Sequence, residues 1–223
     1  MDNYEVSKHI DHTLLKAVST WEQIKKLCEE AIEYKTASVC IPPSYIKPVK
    51  ETFGDDIVVC TVIGFPLGYN TTDVKVYETK KAIEDGAEEV DMVLNIGWVK
   101  DGKFKEVEDE IKAIREASAG KILKVIIETC YLTKEEIIEC CKAVTNAKAD
   151  YIKTSTGFGT EGATLENVKI MKENVGPEVL VKAAGGMKTR EDLEAFLEAG
   201  ADRLGTSSGI KLLFKDEESG DSY

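Results

Sequence analysis

A regular alternation of short apolar strands and amphipathic helices constrains the fold more than any other feature of the sequence. Candidate strands recur eight times, at a spacing of about 28 residues, and a helical pattern follows each one. The predicted strands cover 9–13, 37–41, 57–63, 88–94, 123–127, 151–155, 179–183 and 202–205. The predicted helices cover 21–34, 44–52, 73–85, 104–117, 134–147, 165–174, 190–199 and 208–214. Such alternation is typical of parallel α/β folds.

Two architectures fit this order of elements, a (β/α)8 TIM barrel and a doubly wound open sheet. The fourth strand favours the barrel. Val90 and Met92 lie on one apolar face, whereas the other face carries Glu89, Asp91, Val93 and Asn95. An open sheet covered by helices needs two apolar faces, but a barrel accommodates polar groups towards its mouth. We therefore predict a single TIM-barrel domain over residues 1–214, followed by a polar C-terminal tail over 215–223.

Helix starts carry recognisable capping signals. Ser19 precedes Glu22, and Thr133 precedes Glu136, by the three residues of a capping box. We expect these two positions to begin the helices that follow them.

Composition excludes several classes of function. The formal net charge is −12, which argues against nucleic acid as a partner. No 18-residue apolar run is present, and the N-terminus lacks the pattern of a signal peptide, so we expect no membrane association. The six cysteines form no C-x-x-C pair and no disulfide framework. They indicate a reduced, cytoplasmic protein.

Two lysines in apolar strands point to chemistry. Lys153 lies in the sixth strand and Lys182 in the seventh, and glycines follow each of them. A single such lysine is more often a salt-bridged core residue. Two ammonium groups at the same depth, roughly 5 Å apart, would repel by about 3 kcal/mol at an effective dielectric of about 20. This repulsion would lower the pKa of one lysine by about two units. One of them would then be neutral and able to attack a carbonyl, as in a Schiff-base enzyme.

Asp91, on the fourth strand, is expected near the two lysines, because catalytic groups of barrels gather at the carboxyl ends of the strands. It either neutralises the lysines or moves protons to and from an imine. Cys40 on the second strand faces the same way, although a buried thiol is usually a packing residue.

Small residues fill the loops after the last three strands. The loops contain Gly157, then Gly185 and Gly186, then Gly205, Ser207 and Ser208. Barrels commonly bind phosphate after strands seven and eight, where backbone amides and hydroxyls converge. We predict a phosphate site at these loops.

With these residues in place, the chain resembles the deoxyribose-phosphate aldolases, a family of class I aldolases. The resemblance runs nearly end to end. Its motifs are I-D-H-T-L-L, A-S-V-C, G-F-P-L-G, E-V-D-M-V-L-N-I-G, K-V-I-I-E-T, Y-I-K-T-S-T-G-F, V-K-A-A-G-G and G-T-S-S-G. It implies reversible cleavage of 2-deoxy-D-ribose 5-phosphate into acetaldehyde and D-glyceraldehyde 3-phosphate, without a cofactor.

The resemblance also assigns roles to residues. It makes Lys153 the Schiff-base lysine, Lys182 the lysine that tunes it, and Asp91 the group that passes protons through a water. Asp11 and Thr13 become polar partners of the substrate or of the proton relay. The remaining matches, which include the predicted phosphate ligands, are Cys40, Gly157, Gly185, Gly186, Gly205, Ser207 and Ser208.

The chain departs from some members of this family after Gly157, where they carry lysine and this sequence has Phe158. Lys188 is a candidate replacement for that charge. Some members also end in tyrosine, so Tyr223 is a candidate proton shuttle if the tail folds back over the barrel mouth; otherwise the tail is a solvated end.

The partners expected are a small phosphosugar and further copies of the chain, as a dimer or tetramer. We expect no metal, because His9 and His12 do not have the spacing of a zinc motif. Two alternatives remain: a lyase or isomerase acting on another phosphosugar, and a non-catalytic phosphosugar-binding protein.

Overall fold

The computed structural model describes residues 1–214, and within them eight parallel strands form one closed barrel. Each strand pairs with the next along the chain, and β8 pairs with β1 to complete the circle. The strands are β1 Ile10–Thr13, β2 Ser38–Ile41, β3 Val59–Ile63, β4 Glu89–Val93, β5 Ile122–Ile126, β6 Tyr151–Lys153, β7 Leu180–Ala184 and β8 Arg203–Thr206. The barrel prediction is confirmed. The tail from residue 215, including Tyr223, lies outside the described residues.

Helices alternate with the strands. They are α1 Asn3–Ser7, α2 Trp21–Glu33, α3 Ile46–Phe53, α4 Thr72–Glu84, α5 Ile96–Lys100, α6 Phe104–Ala117, α7 Lys134–Asn146, α8 Leu165–Asn174, α9 Arg190–Glu198 and α10 Gly209–Phe214. Short 3-10 helices cover Pro43–Tyr45, Gly54–Asp56 and Thr129–Tyr131. Every predicted strand and helix is present to within two residues at each end. No helix in residues 1–214 has both the length and the apolar character needed to cross a membrane.

Two helices, α1 and α5, were not predicted, because five residues are too few to show a helical period. Each is marked by its N-cap instead. The Glu5 amide donates to Asp2 Oδ1 at 2.9 Å, and the Trp98 amide donates to Asn95 Oδ1 at 3.2 Å. The placement of Asn95 on the polar face of the fourth strand is therefore wrong. This residue lies beyond β4 and caps α5.

One of the two predicted helix starts is displaced by a residue. The Thr133–Glu136 capping box is present at α7. At α2 the cap is Thr20, whose amide donates to Gln23 Oε1 at 3.0 Å. Ser19 instead closes the preceding turn by donating from its hydroxyl to the Lys16 carbonyl at 2.7 Å.

The two faces of the barrel wall differ in chemistry. Val90 and Met92 belong to the main apolar core, which lies between the strands and the surrounding helices, as predicted. Inside the barrel, one small apolar cluster consists of Cys40, Cys60 and Val62, against which Leu15 and Phe65 pack. The interior also holds buried charged side chains, among them Asp91 and Lys182.

A fully buried ion pair joins α4 to α6 and fixes the loop after β3. Lys75 Nζ lies 2.9 Å from Glu110 Oε2, and it also donates to the carbonyls of Gly68 at 2.6 Å and Val93 at 2.8 Å. All three ammonium hydrogens therefore have acceptors. Gly68 has φ +71°, and a Cβ there would lie 2.1 Å from the Leu94 carbonyl oxygen. Lys75 thus holds this loop directly against the end of β4.

Neither charge of this pair recovers all the solvation that it loses. Burial lowers the pKa of Lys75 in spite of the attraction of Glu110, and burial raises the pKa of Glu110 in spite of Lys75. The pair is therefore costly to break but contributes little compared with a well-packed apolar pair.

Replacing Lys75 with methionine should lower the free energy of unfolding by about 3–5 kcal/mol, because Glu110 is left buried without its counter-ion. The double variant Lys75→Met/Glu110→Gln should lose clearly less than the sum of the two single variants. Urea unfolding measures both quantities. Lys25→Met, which breaks an exposed pair with Glu29, is the control and should cost less than about 1 kcal/mol. Strictly additive losses at Lys75 and Glu110 would contradict the coupling.

Candidate active site

Two lysines meet inside the barrel on neighbouring strands. Lys153 ends β6, Lys182 lies within β7, and the parallel register places their Cα atoms opposite one another. Both ammonium nitrogens lie 2.7 Å from the same oxygen, Asp91 Oδ2. The two nitrogens are therefore no further apart than twice that distance. The structure thus brings together the three residues on which the sequence analysis concentrated, and it places the carboxylate between the lysines.

A third lysine, which the sequence analysis did not single out, contacts the other oxygen of Asp91. Lys124 Nζ lies 2.9 Å from Asp91 Oδ1, and the Cys60 thiol lies 3.2 Å from the same oxygen. Burial alone would raise the pKa of the Asp91 carboxyl, but Lys124, Lys153 and Lys182 together hold it well below its usual range. Asp91 is therefore a carboxylate throughout the neutral pH range.

A second group of charges lies towards the amino-terminal ends of the strands. Arg203 Nη1 contacts Asp11 Oδ1 at 2.6 Å and Glu89 Oε2 at 3.1 Å. Lys124 contacts Glu89 Oε2 at 2.5 Å, and Lys182 contacts Asp11. These contacts join both groups into one continuous cluster.

The neighbouring carboxylates keep Lys124 and Lys182, the two lysines that do not line a cavity of the described chain, protonated. Burial lowers the pKa of Lys182, but Asp11 and Asp91 more than offset this and raise it above its usual value. The same balance, with Asp91 the largest opposing contribution, raises the pKa of Lys124 well above its usual value. Both lysines therefore remain ammonium ions at neutral pH.

The charges of this cluster do not balance if every member is ionised. Its members are Lys124, Lys153, Lys182 and Arg203 on the basic side and Asp11, Glu89 and Asp91 on the acidic side. One unit of positive charge is left over, and loss of one proton removes it. Among residues 1–214, Lys153 has one carboxylate contact, Lys182 has two and Lys124 has three. Lys153 thus has the fewest carboxylate contacts of the three lysines.

A cavity of about 530 Å³ opens over Lys153 at the carboxyl ends of the strands. Its lining includes eight of the predicted site residues: Lys153, Thr13, Gly157, Gly185, Gly186, Gly205, Ser207 and Ser208. Lys16, Lys188 and Phe158 also line it. Asp11, Cys40, Asp91 and Lys182 are buried and are not part of the lining.

The position of the carboxylate and the second lysine differs from the expectation. Asp91 and Lys182 were expected at the carboxyl ends of their strands, but each lies at the middle of a five-residue strand and is fully buried. Lys153, the last residue of β6, reaches the cavity. The site is therefore a charged layer inside the barrel with a single amine at its surface.

The loop after β6 is held by a residue that the sequence analysis missed. Glu128 is buried and has φ +53°, a left-handed conformation that is uncommon for a residue other than glycine. Its Oε1 accepts from the Thr156 amide at 3.1 Å, and its Oε2 accepts from the Thr156 hydroxyl. The same hydroxyl accepts from the Phe158 amide at 3.0 Å. Glu128 thereby fixes the loop that lines the cavity next to Lys153.

Close backbone packing connects the loops after β6 and β7. A Cβ at Gly162 would lie 2.6 Å from the backbone atoms of Gly185 and Gly186, which have φ values of +72° and +80°. Glycine is needed on both sides of this contact. Across the mouth, the Phe158 ring meets Phe65 edge-on, with 5.3 Å between the centroids. Phe158 thus contributes an aromatic wall to the cavity.

The barrel interior also contains groups of potential metal ligands, which the sequence spacing did not reveal. The ligand atoms of Cys40, Cys60 and Asp91 lie within 4.8 Å of one another, as do those of Asp11, Cys60 and Glu89. Each carboxylate in these sets already contacts a lysine or an arginine, so a cation would enter against positive charge. Burial also raises the pKa of Cys60 well above its usual value, which opposes thiolate formation. The arrangement suits proton and amine chemistry better than metal binding.

Comparisons with known proteins agree over the whole chain. Residues 6–213 match the model of the DeoC/LacD family aldolases. The chain is 60% identical over 220 residues to a deoxyribose-phosphate aldolase of Clostridium botulinum (strain Alaska E43 / Type E3), covering 99% of this chain and 100% of the relative. It is 51% identical over 223 residues to a protein of the same name from Streptococcus pyogenes serotype M4, covering all of both chains.

Solved structures give the same result. A putative deoxyribose-phosphate aldolase from Coccidioides immitis superposes with a TM-score of 0.92 at 43% identity, covering 96% of this chain and 86% of that one. A deoxyribose phosphate aldolase from Aeropyrum pernix, described as a unique tetramer, superposes with a TM-score of 0.89 at 30% identity, covering 95% and 91%.

The buried carboxylates predict a loss of stability in acid. Burial raises the pKa of Asp11, but Lys182, Lys124 and Arg203 hold it below its usual value. Lys124, Lys153 and Lys182 have the same effect on the pKa of Asp91. In the unfolded chain these carboxyls titrate near about 3.9. Their contribution is therefore complete above that pH and is lost as the pH falls towards the folded pKa values.

We expect the free energy of unfolding, measured with urea, to begin to fall below about pH 5 and to fall most steeply below about pH 4. Asp11→Asn should show a shallower fall across this range, because one depressed carboxyl has been removed. Asp55→Asn, at an exposed carboxylate, should follow the wild type. An Asp11→Asn variant with the wild-type acid dependence would contradict the assignment to this cluster.

Proposed function

Because the chain belongs to the DeoC/LacD aldolase family, we propose that it is a class I aldolase that cleaves 2-deoxy-D-ribose 5-phosphate reversibly. The products are acetaldehyde and D-glyceraldehyde 3-phosphate. One observation carries the mechanism: Lys153 is at the floor of the cavity and is bound to the carboxylate that also binds Lys182. An amine placed there is accessible to a carbonyl and lies next to a fixed negative charge.

The reaction proceeds through a Schiff base on Lys153. The neutral amine attacks C1 of the open-chain sugar, and loss of water gives a protonated imine. The imine withdraws electrons as the C2–C3 bond breaks, and the C3 hydroxyl loses its proton, so that D-glyceraldehyde 3-phosphate departs. An enamine of acetaldehyde remains. Protonation of the enamine carbon, followed by addition of water to the imine, releases acetaldehyde and restores the amine.

Asp91 and Lys182 prepare this amine in different ways. Lys182 keeps its proton, since its pKa is raised by Asp11 and Asp91, and its charge repels a second ammonium at Lys153. This favours the neutral amine. Asp91 remains ionised, so it stabilises the positive charge of the imine once that charge has formed and passes protons through a water.

The other predicted residues divide between the cluster and the cavity. Asp11 acts through Lys182, which it binds, and Thr13 faces the sugar from the cavity wall. Cys40 belongs to the apolar wall beside Cys60. The phosphate lies against the small residues of the last three loops, which are Gly157, Gly185, Gly186, Gly205, Ser207 and Ser208. Lys188 lines the same cavity and is the candidate for the charge that Phe158 does not provide.

We propose a homo-oligomer in the cytoplasm, with residues 1–214 as one catalytic domain and 215–223 as a polar tail. A tetrameric relative from Aeropyrum pernix supports association, and six free cysteines, five of them buried, suit a reducing compartment. The state of assembly is measured by light scattering. Tyr223 stays a prediction for the tail.

Borohydride trapping tests the proposed chemistry. Reduction in the presence of acetaldehyde should inactivate the enzyme and leave a two-carbon adduct on Lys153, because only an imine is converted to a stable secondary amine. Peptide mass spectrometry locates the adduct, and Lys153→Met is the control that should remain unmodified at the site. An adduct confined to another lysine, or cleavage of substrate by Lys153→Met at the wild-type rate, would overturn the mechanism.

Replacing Lys182 with methionine tests the role of the second charge. The cluster then has no surplus positive charge, so Lys153 should hold its proton more strongly. The acid limb of kcat/KM should move to higher pH by about one to two units, and kcat near neutral pH should fall by about 10²-fold or more. The pH–rate profile provides the measurement, and circular dichroism confirms folding. An unchanged profile in a folded Lys182→Met variant would disprove the like-charge explanation.

A further inference from the structure

Within residues 1–214, the charged side chains that line the cavity over Lys153 are all lysines, although the chain has a formal net charge of −12. Its lining, drawn from residues 1–214, includes three lysines and no aspartate or glutamate. Lys153 lies at the floor, whereas Lys16 and Lys188 are exposed and lie in loops. This local reversal of sign would attract an anion.

The strand order places the two exposed lysines on opposite sides of one loop. β8 lies between β7 and β1, with Gly205 opposite Ala184 on one side and opposite Asp11 on the other. The loop that follows β8 carries Ser207 and Ser208. The loops beside it carry Lys188 after β7 and Lys16 after β1. The serines therefore lie between two lysine-bearing loops.

The backbone at Lys16 is fixed, while its side chain is available. The Leu14 amide donates to the Cys40 carbonyl at 3.0 Å. The Ser19 amide and hydroxyl both donate to the Lys16 carbonyl, at 3.0 and 2.7 Å. No carboxylate in the described part of the chain lies within ion-pair distance of Lys16 Nζ, in contrast to Lys47, Lys81 and Lys100.

We propose that Lys16 is a specificity-determining residue, which binds the phosphate of the substrate from the β1 side and makes the enzyme prefer phosphorylated sugars. The inference rests on the proposed function. A phosphate monoester carries about −1.5 to −2 charges near neutral pH, and glycine amides and serine hydroxyls supply none to balance them. Lys153 is bonded to the sugar carbon during the reaction. Among residues 1–214, Lys16 and Lys188 are then the two lining cations that can match the two phosphate charges.

The test compares Lys16→Gln, Lys16→Arg and Lys47→Gln on two substrates, deoxyribose 5-phosphate and unphosphorylated deoxyribose. Lys16→Gln should raise KM for the phosphorylated sugar about 3- to 10-fold, with a several-fold smaller effect on the unphosphorylated sugar. Lys16→Arg should keep most of the wild-type preference for the phosphorylated sugar, because arginine retains the positive charge. Lys47→Gln removes an exposed lysine on α3 and should match the wild type on both substrates.

Two further measurements separate a charge effect from a change of shape. Inorganic phosphate should compete with deoxyribose 5-phosphate less effectively in Lys16→Gln than in the wild type. The difference in KM between Lys16→Gln and the wild type should also shrink as salt is added, because salt screens the exposed charge of Lys16. Equal changes on both sugars, or no change on either, would overturn the role of Lys16. A wild type that does not cleave deoxyribose 5-phosphate at all would instead overturn the proposed function.

Discussion

The Asp91 carboxylate, held between three lysines, is the interaction on which the rest of the barrel interior depends. Without it, Lys153 would lose the carboxylate contact that it has within residues 1–214, and the buried ammonium groups of Lys124 and Lys182 would each lose one of theirs. Removing such groups from water costs several kcal/mol for each ion, and buried pairs rarely recover more than they lose. A core of apolar side chains would therefore be at least as stable. The cluster is better explained by the chemistry that it allows than by the stability that it provides.

The closed barrel makes this cluster possible because it separates two environments across a single sheet. Val90 and Met92 face the helices and supply the apolar packing, while Glu89 and Asp91, on the same strand, face inward. Residues distant in sequence are brought within bonding distance by closure, as with Asp11 of β1 and Lys182 of β7. An open sheet with helices on both faces would have to cover these charges with apolar side chains.

The sequence predicts the elements well, since their signals are local, but it predicts the depth of the site poorly. Period-two alternation shows that Asp91 and Lys182 face inward, yet it does not show how far each strand is shifted along its neighbours. Through Lys124, the register places Asp91 two residues below Lys153, whereas Lys182 is level with Lys153 and yet does not line the cavity. Lys124 could have been noticed, because it too is a lysine in an apolar strand. Arg203 gave less signal: it opens a short strand, where a charged residue is ordinary.

In the proposed mechanism, position within the cluster, rather than residue type, distinguishes the nucleophile from the other two lysines. The three lysines have the same side chain and share one carboxylate, but they differ in how many carboxylates hold their protons and in access to the cavity. Lys124 contacts three carboxylates and Lys182 contacts two, so both are fixed as cations and both are buried away from substrate. Lys153 has Asp91 as its carboxylate partner and ends its strand at the cavity floor. The same contacts that hold Lys124 and Lys182 away from the cavity therefore leave Lys153 as the lysine of the cluster, within residues 1–214, that a substrate in the cavity can reach.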